Sequence, residues 1–230
     1  MKILHTAVIL TLIAFISCAQ KNSSSPGDNK NVNAPGLGTP ADLSKYKEAT
    51  FAEGCFWCTE GVFESVKGVA EAVSGYAGGT TPNPTYEQVG SETTGHAECV
   101  MVYYDTSIID YPTLLKVFFG SQDPTQVNGQ GPDHGSSYRS IVFYKNAGEK
   151  KLIEDYIHLL NASGNFSNPI AAEVVPFTKF WKAEDYHQDY IQHHPNDNSY
   201  VIHESIPRIK RFQKQFPDLL KPGRSLIGNH

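Results

Sequence analysis

Two cysteines three residues apart, Cys55 and Cys58, enclose two aromatic side chains where a strand-like run changes into a helical pattern. Residues 48–52 have the character of a short strand, Gly54 interrupts it, and apolar residues then recur through 56–69 with roughly helical spacing. We therefore expect Cys55 at a helix N-terminus. Unpaired backbone N–H groups and the positive end of the helix dipole favour an anion there, which predicts a lowered pKa for this thiol. A thiolate is both a nucleophile and a metal ligand, so this position alone leaves the chemistry open.

Residues 1–18 have the pattern of an export signal. Lys2 gives a basic start, residues 3–16 are nearly all apolar, and Phe15-Ile16-Ser17-Cys18 ends the run. The apolar run is too short to span a bilayer stably. Its end is similar to a bacterial lipoprotein box, which predicts lipid attachment at Cys18; simple cleavage with loss of Cys18 is the alternative. We expect an exported protein of the cell envelope, anchored to a membrane by its lipid.

The remaining chain divides by composition into a tether, one domain and a tail. Residues 19–44 are rich in Ser, Asn, Gly and Pro and predict a flexible tether. Residues 45–222 are long enough to bury a single core, and 223–230 form a short C-terminal tail. The alternation of strand and helix patterns predicts an α+β domain, a two-layer sandwich of ferredoxin-like type. The predicted strands are 48–52, 73–79, 97–104, 140–144 and 171–175, and the predicted helices begin at 56 and cover 112–119 and 149–160.

Charge and cysteine count narrow the function. A net charge of -5 and a pI near 6.0 give no electrostatic footprint for nucleic acid, so we expect no such partner. Of the four cysteines, lipid attachment at Cys18 would leave three, an odd number that speaks against purely structural disulfides. A bridge between Cys55 and Cys58 closes too small a loop to constrain the unfolded chain much. A functional thiol pair is the better interpretation.

Glu98 lies inside the apolar run 97–104. Burial of an ionised carboxylate is costly, so a raised pKa and a neutral side chain that can donate a proton are expected. The alternative is a glutamate at the frayed start of the strand that faces water. Tyr86, Asp133 and Tyr138 lie on polar segments, where their side chains could either converge on a small substrate or form ordinary surface. The polar segment 121–137 is long for a compact domain, which favours a functional loop.

Together these segments resemble the A-type peptide methionine sulfoxide reductases. Seven motifs occur in order over residues 50–190. They are GCFW (54–57), SGYAGG (74–79), TGHAE (94–98), DPTQ (123–126), QGPD (130–133), YRS (138–140) and AEDYHQ (183–188).

The resemblance implies reduction of the S epimer of methionine sulfoxide, in proteins and as the free amino acid. It implies that Cys55 is the nucleophile, which becomes a sulfenic acid, and that Glu98 is the acid. The substrate methyl group would contact Phe56 and Trp57, and the sulfoxide oxygen would be held by Tyr86, Asp133 and Tyr138. No cofactor is implied.

The second thiol is where this chain departs from many members of that family. Those members carry resolving cysteines in a C-terminal tail, whereas no cysteine follows Cys99 here. Cys58 stands where many members have glycine, and a subgroup with cysteine at that position resembles this chain. We therefore expect Cys58 to resolve the sulfenic acid and a thioredoxin-like dithiol protein to reduce the resulting disulfide. Cys99 follows Glu98 on a strand, so its side chain should point to the opposite face of the sheet.

The chain is expected to be a monomer.

The sequence leaves two alternatives open for the function of the CxxC motif. A thioredoxin-like dithiol exchanger would also place a CxxC motif at a helix start. A structural zinc site could use Cys55, Cys58, His96 and Cys99 as ligands, because their spacing is seen around zinc. A further histidine group, formed by His187, His193 and His194, is read as polar and packing residues and not as a metal site.

Overall fold

The computed structural model describes residues 42–196 and 198–223. The chain divides into two units, Met1–Ala41 and Asp42–His230, and every described residue belongs to the second. Several predicted features lie outside the described residues. They are the signal segment with Cys18, the tether up to residue 41 and the tail from residue 224. Among the residues that are described, no helix is long and apolar enough to cross a membrane.

Most of the strands form one mixed sheet. The strands are β1 (Lys47–Glu53), β2 (Val69–Ala77), β3 (Ala97–Tyr104), β4 (Gly129–Gln130), β5 (Asp133–His134), β6 (Ser140–Tyr144), β7 (Glu173–Pro176) and β8 (Phe180–Lys182). Over the described ranges, six of them lie in the order β7-β6-β1-β3-β2-β8, and β4 and β5 form a separate two-stranded ribbon. Only β6 and β7 pair in parallel in the larger sheet.

The helices connect and cover these strands. A π-helical segment, Val201–Ser205, runs directly into the last α-helix. Short 3-10 helices cover Leu43–Lys45, Ser136–Tyr138, Asp185–His187 and Pro217–Leu219. The α-helices are α1 (Phe56–Glu64), α2 (Tyr86–Gly90), α3 (Tyr111–Gly120), α4 (Ala147–Ala162), α5 (Tyr190–His193) and α6 (Ile206–Gln215).

Local chemistry accounts for the starts of three of these helices. Before α2, the Thr85 hydroxyl accepts the backbone N–H of Gln88 and the Gln88 side chain accepts that of Thr85, a reciprocal capping box. Asp110 caps α3 and Asn146 caps α4 through their side-chain oxygens. Each cap satisfies a backbone donor that the first helical turn leaves unpaired.

The central strands separate two apolar clusters. Alternate side chains of a strand point to opposite faces, so Phe51 and Val100 lie in the large cluster with the helices. Cys99 and Ile141 lie in a smaller cluster on the other face, which Phe177 and Phe180 partly cover. All positions of β3 but one are buried, which confirms that both of its faces are covered.

Most predicted elements are confirmed, with one clear error. The helical spacing read as far as residue 69 is wrong beyond Glu64, because α1 ends there and Val69 already begins β2. The Ser65 hydroxyl donates to the Val62 carbonyl at 2.6 Å, and Gly68, with φ +83°, turns the chain into the strand. Glycine adopts this positive φ without the steric cost that other residues incur. The sequence pattern did not predict helices α2, α5 and α6 or strands β4, β5 and β8.

Candidate active site

The Cys55 thiol lies at the junction between β1 and α1. Gly54 has φ +86°, and a Cβ there would lie 2.6 Å from Gln130 Cβ, so this turn requires glycine. Cys55 is the N-cap residue of α1, and its carbonyl accepts the backbone N–H groups of Cys58 and Thr59 at 3.1 and 3.2 Å. The predicted placement of Cys55 at a helix N-terminus is confirmed.

A pocket of about 300 Å³ opens at Cys55. Every predicted catalytic or substrate-contacting residue lines it except Cys58, and sequence reasoning missed two of its residues, Asn198 and Tyr200. The volume is at the lower end of the range of small-molecule sites, of a size that suits one side chain. Its lining residues are Cys55, Phe56, Trp57, Tyr86, Glu98, Asp133, Tyr138, Asn198 and Tyr200.

Glu98 is the acidic group beside Cys55. Only 3% of it is exposed, and its Oε2 accepts the backbone N–H of Phe56 at 3.0 Å. Burial raises the pKa of Glu98 to about 8; the Phe56 N–H opposes this, and Asp133 and Cys58 add to it. The carboxyl is therefore mostly protonated at pH 7, as predicted. The alternative of a water-facing glutamate at the strand start is wrong.

In the reduced pair the pKa of Cys55 is raised and the pKa of Cys58 is lowered, the reverse of the prediction for Cys55. Cys55 and Cys58 are 6% and 2% exposed. Burial and the neighbouring Cys58 raise the pKa of Cys55 well above its ordinary value. The pKa of Cys58 is lowered to about 6, first by the hydrogen bond from Cys55, then by Arg208 and Ser205 against the cost of burial. The predicted low pKa of Cys55 is wrong for the reduced pair, because burial outweighs the helix N-terminus.

An aromatic cluster forms the apolar wall of the pocket. Trp57 stacks on Tyr190 with ring centroids 3.7 Å apart, and its indole N–H donates to Nδ1 of His187 at 3.1 Å. His187 also packs against Phe56 and Tyr86 at 4.8 and 4.6 Å. Burial lowers the pKa of His187, which keeps its Nδ1 available as an acceptor. The interpretation of His187 as a packing residue is confirmed.

Phenol and carboxyl groups form the polar wall. Burial raises the pKa of Tyr86 to about 12 and also raises that of Tyr138, so both hydroxyls are donors at neutral pH. The Tyr200 hydroxyl donates to Oδ2 of Asp133 at 2.5 Å. Glu184, from the last motif, accepts the backbone N–H of Tyr86 at 3.0 Å and so positions α2. This wall can hold an oxygen atom that gains negative charge.

The zinc alternative is wrong on geometry. Backbone Gly79 N–H donates to His96 Nδ1 at 3.1 Å, and His96 Nε2 lies 2.8 Å from the Thr81 carbonyl oxygen. Cys99 lies in the cluster on the far face of the sheet, as its position after Glu98 predicts. Within residues 42–196 and 198–223, the groups with metal-ligand spacing are carboxylates only, Glu64, Glu71 and Asp189.

The comparisons with known proteins agree with this geometry. A family model described as peptide methionine sulfoxide reductase matches residues 47–220. Peptide methionine sulfoxide reductase MsrA of Sulfolobus acidocaldarius is 47% identical over 170 residues, which cover 74% of this chain and 95% of that relative. The MsrA of Thermus thermophilus is 43% identical over 174 residues, which cover 76% and 97%.

Two solved structures are similar over most of the domain. The crystal structure of reduced Mxr1 from Saccharomyces cerevisiae has a TM-score of 0.62 and 33% identity, and the match covers 69% of this chain and 91% of Mxr1. Methionine sulfoxide reductase A of Corynebacterium diphtheriae has a TM-score of 0.59 and 31% identity, with 69% and 77% covered.

Proposed function

The chain belongs to the peptide methionine sulfoxide reductase family, and from that premise we propose that it reduces the S epimer of methionine sulfoxide, both in proteins and as the free amino acid. The main support is the convergence of Cys55, Glu98 and phenol hydroxyls on one pocket with an apolar wall. The pocket combines a nucleophile for sulfur, a proton for oxygen and an apolar surface for the methyl group.

The proposed first step is attack of the Cys55 sulfur on the sulfoxide sulfur. The attack moves electron density onto the oxygen, which needs a proton before its bond to sulfur can break. Neutral Glu98 supplies that proton, and the hydroxyls of Tyr86 and Tyr138 stabilise the charge as it develops. The protonated oxygen passes to the Cys55 sulfur as the bond between the two sulfurs breaks, so methionine departs reduced and Cys55 is oxidised to the sulfenic acid.

Cys58 then resolves the sulfenic acid in this proposal. Residues three apart on a helix have Cβ atoms about 5–6 Å apart, whereas a disulfide wants about 3.5–4.5 Å. Closing the bond therefore distorts the first turn of α1, and the resulting strain makes the bridge easier to reduce. Cys99 is fully buried on the other face of the sheet and is not a competitor.

A thioredoxin-like dithiol protein is the proposed reductant. A disulfide that forms in every cycle must be reduced by thiol–disulfide exchange, and a dithiol releases its product by closing its own bridge. The alternative that the chain itself is a general dithiol exchanger has less support. Such an exchanger needs neither the buried acid Glu98 nor the tyrosine hydroxyls that line the pocket.

The proposed location is the cell envelope, with a lipid on Cys18 and a tether from residue 19 to the domain. The support is the sequence alone, since these residues lie outside the described part of the chain.

A monomer remains our prediction for the oligomeric state. We also assign the ferredoxin-like type to the fold; the support is the order β6-β1-β3-β2, with α1 between β1 and β2 and α3 between β3 and β6.

Turnover of the separate S and R epimers tests the proposal. The full chain with a dithiol reductant should consume the S epimer, free or in a peptide, and leave the R epimer unchanged. The Cys55→Ser chain is the control and should consume neither. Equal consumption of both epimers would overturn the stereochemical assignment, and consumption of neither by the parent would overturn the function.

A further inference from the structure

The two thiols of the reduced pair line different cavities. Cys55 lines the substrate pocket, whereas Cys58 lines a second cavity of about 50 Å³. Asp133 and Tyr200 line both spaces, so their hydrogen-bonded side chains form part of the wall between them. Cys58 does not line the substrate pocket, so Cys55 is the thiol that can contact a sulfoxide there.

A buried cation and a hydroxyl are placed beside Cys58. The Cys58 sulfur lies 3.2 Å from the Ser205 hydroxyl oxygen, at the end of the π-helical segment. Arg208, one turn later on α6, is 8% exposed and lines the cavity with Cys58. Its Nε donates to the Ser121 carbonyl at 2.9 Å, which fixes the guanidinium in place.

The charge of Arg208 is only partly balanced by its acidic partner. Glu53 Oε1 lies 2.8 Å from Arg208 Nη2, but Glu53 is fully buried and its pKa is raised to about 7 by that burial, against Arg208 and Ser121. Near neutral pH a large fraction of Glu53 is thus protonated, while a guanidinium stays charged. The uncompensated positive charge beside Cys58 favours an anion there.

We propose that Cys58, held as a thiolate by Arg208 and Ser205, is the base that removes the proton from Cys55 when Cys55 attacks the sulfoxide. Arg208 is then a positioning residue that acts through Cys58. The inference deepens the proposed function and rests on it for the identity of the substrate. The lowered pKa of Cys58 and the raised pKa of Cys55 agree with this direction of proton transfer.

The step balances without an outside acid or base. The Cys55 proton moves to the Cys58 thiolate as the new bond to the sulfoxide sulfur forms, and the Glu98 proton moves to the sulfoxide oxygen. The protonated oxygen then passes from the substrate sulfur to the Cys55 sulfur as the bond between the two sulfurs breaks. Methionine leaves, Cys55 keeps the oxygen as sulfenic acid, and the negative charge now lies on Glu98. The Cys58 thiol then attacks Cys55, the disulfide forms, and the thiol proton leaves with the hydroxyl as water. Both hydrogens of that water come from Cys55 and Glu98.

Several charged or titratable groups face Cys58, and they act in both directions. Hydrogen bonding with Cys55, the charge of Arg208 and hydrogen bonding with Ser205 favour the thiolate, whereas burial and Asp133 oppose it. Others influence the site from neighbouring elements or line the cavity. They are Glu53 on β1, Glu98 on β3, Tyr200 and Glu204 near the π-helical segment, and Arg211 on α6.

Thiolate ultraviolet absorption locates the charge without any substrate. Difference titrations of the full reduced chain against each single cysteine variant cancel the remaining thiols. Cys58→Ser should remove the thiolate that forms near pH 6, and Cys55→Ser, which keeps a hydroxyl donor, should retain most of it. Loss of the signal in Cys55→Ser alone would overturn the proposal. This measurement is independent of sulfoxide turnover, so it fails separately from the proposed function.

Variants of the cation supply the second test. Arg208→Met should lower the ratio of thiolate to thiol at Cys58 about tenfold at a given pH, equivalent to a midpoint about one pH unit higher. The acid limb of single-turnover sulfoxide reduction should move with it. Arg208→Lys should restore both, and Lys210→Met, which removes an exposed charge from the same helix, should change neither.

Folding of each variant is checked by thermal unfolding. Arg208→Met leaves Glu53 without its ion pair, but that carboxyl can become neutral. If the variant nonetheless fails to fold, Ser205→Ala provides the same test with a smaller expected shift. An unchanged titration midpoint in a folded Arg208→Met chain, or in Ser205→Ala where Arg208→Met does not fold, would overturn the role of Arg208 and Ser205.

Discussion

The backbone N–H of Phe56 donates a hydrogen bond to Glu98 Oε2 at 3.0 Å, which joins the first turn of α1 to the acid on β3. The residue that follows the nucleophile thus fixes the position of the proton donor. Since one oxygen of Glu98 accepts this bond, the other can carry the proton towards the pocket. The same contact brings the dipole of α1 to Glu98, although burial still dominates and keeps its pKa near 8.

Glu98→Gln should lower single-turnover sulfoxide reduction by about 10²–10⁴-fold at pH 7, the usual contribution of general acid catalysis. The amide retains the shape and can accept the Phe56 N–H, but it supplies no proton. Rapid quench of one turnover with a small sulfoxide measures the loss. A loss of only about threefold would assign the proton to a phenol or to water.

The pH profile gives an independent readout of the same residue. Glu98 has a raised pKa, so the protonated, donating form is present below about pH 8 and is lost above it. Activity of the parent should fall as the pH rises through that value. The Glu98→Gln chain should lack this alkaline limb, and persistence of the limb would assign it to another group.

Sequence reasoning located the groups that lie in contiguous motifs. The reason is physical. A carboxylate in an apolar strand is costly to bury, a CxxC at a strand-to-helix junction suits a reactive thiol, and a long polar loop is uncommon in a compact domain. Their roles came from the family resemblance, and the pocket brings Cys55, Glu98 and Tyr138 together as that resemblance implied.

What sequence reasoning missed depends on tertiary packing. Tyr200, Ser205 and Arg208 reach the site because α6, which continues the π-helical segment, packs against α1, and no local pattern reports that contact. The pKa of Cys55 was misjudged for the same reason. A helix N-terminus is visible in the sequence, but the burial that outweighs it is a property of the folded chain.

Tyr200→Phe should lower kcat/KM for methionine sulfoxide by about tenfold or more, because the lost hydroxyl leaves the half-buried Asp133 without its donor. Steady-state kinetics with the free amino acid provide the measurement. Tyr144→Phe is the matched control, since Tyr144 lies on β6 outside the pocket, and it should behave like the parent. Unchanged kinetics in Tyr200→Phe would limit Tyr200 to the shape of the wall.

Cys58→Ser and Cys99→Ser should separate the resolving thiol from a core residue. Without reductant, Cys58→Ser should still form about one methionine per chain, at a reduced rate, and then stall even when thioredoxin is added. Cys99→Ser should cycle like the parent. Peptide mapping of the oxidised parent checks the bond directly, and a bridge between Cys55 and Cys99 would reverse the assignment.

Cys18→Ala should release the chain from membranes. The parent, expressed with its complete N-terminus in a bacterial host, should fractionate with the envelope membranes, since a lipid on Cys18 inserts its acyl chains. Immunoblots of membrane and aqueous fractions measure the distribution. The same distribution for both chains would exclude lipid attachment at Cys18.

Removal of residues 1–41 should leave turnover of a small sulfoxide unchanged.

Glu60→Gln should stabilise the domain at alkaline pH without loss of activity. Glu60 is 3% exposed on α1 and lies outside the pocket, and burial, with Glu64 and Asp189, raises its pKa to about 9. A carboxyl whose folded pKa exceeds its unfolded value of 4.5 costs stability as the pH rises from about 4.5 to about 9, because only the unfolded chain ionises freely. Glutamine removes that cost, and each gain of about 1 kcal/mol in stability would raise Tm by about 2–4 °C. Calorimetry at pH 5 and pH 8, chosen as roughly the two ends of this range, should show a difference between the chains that grows with pH. Glu87→Gln, at an exposed position on α2, is the control and should show no such growth.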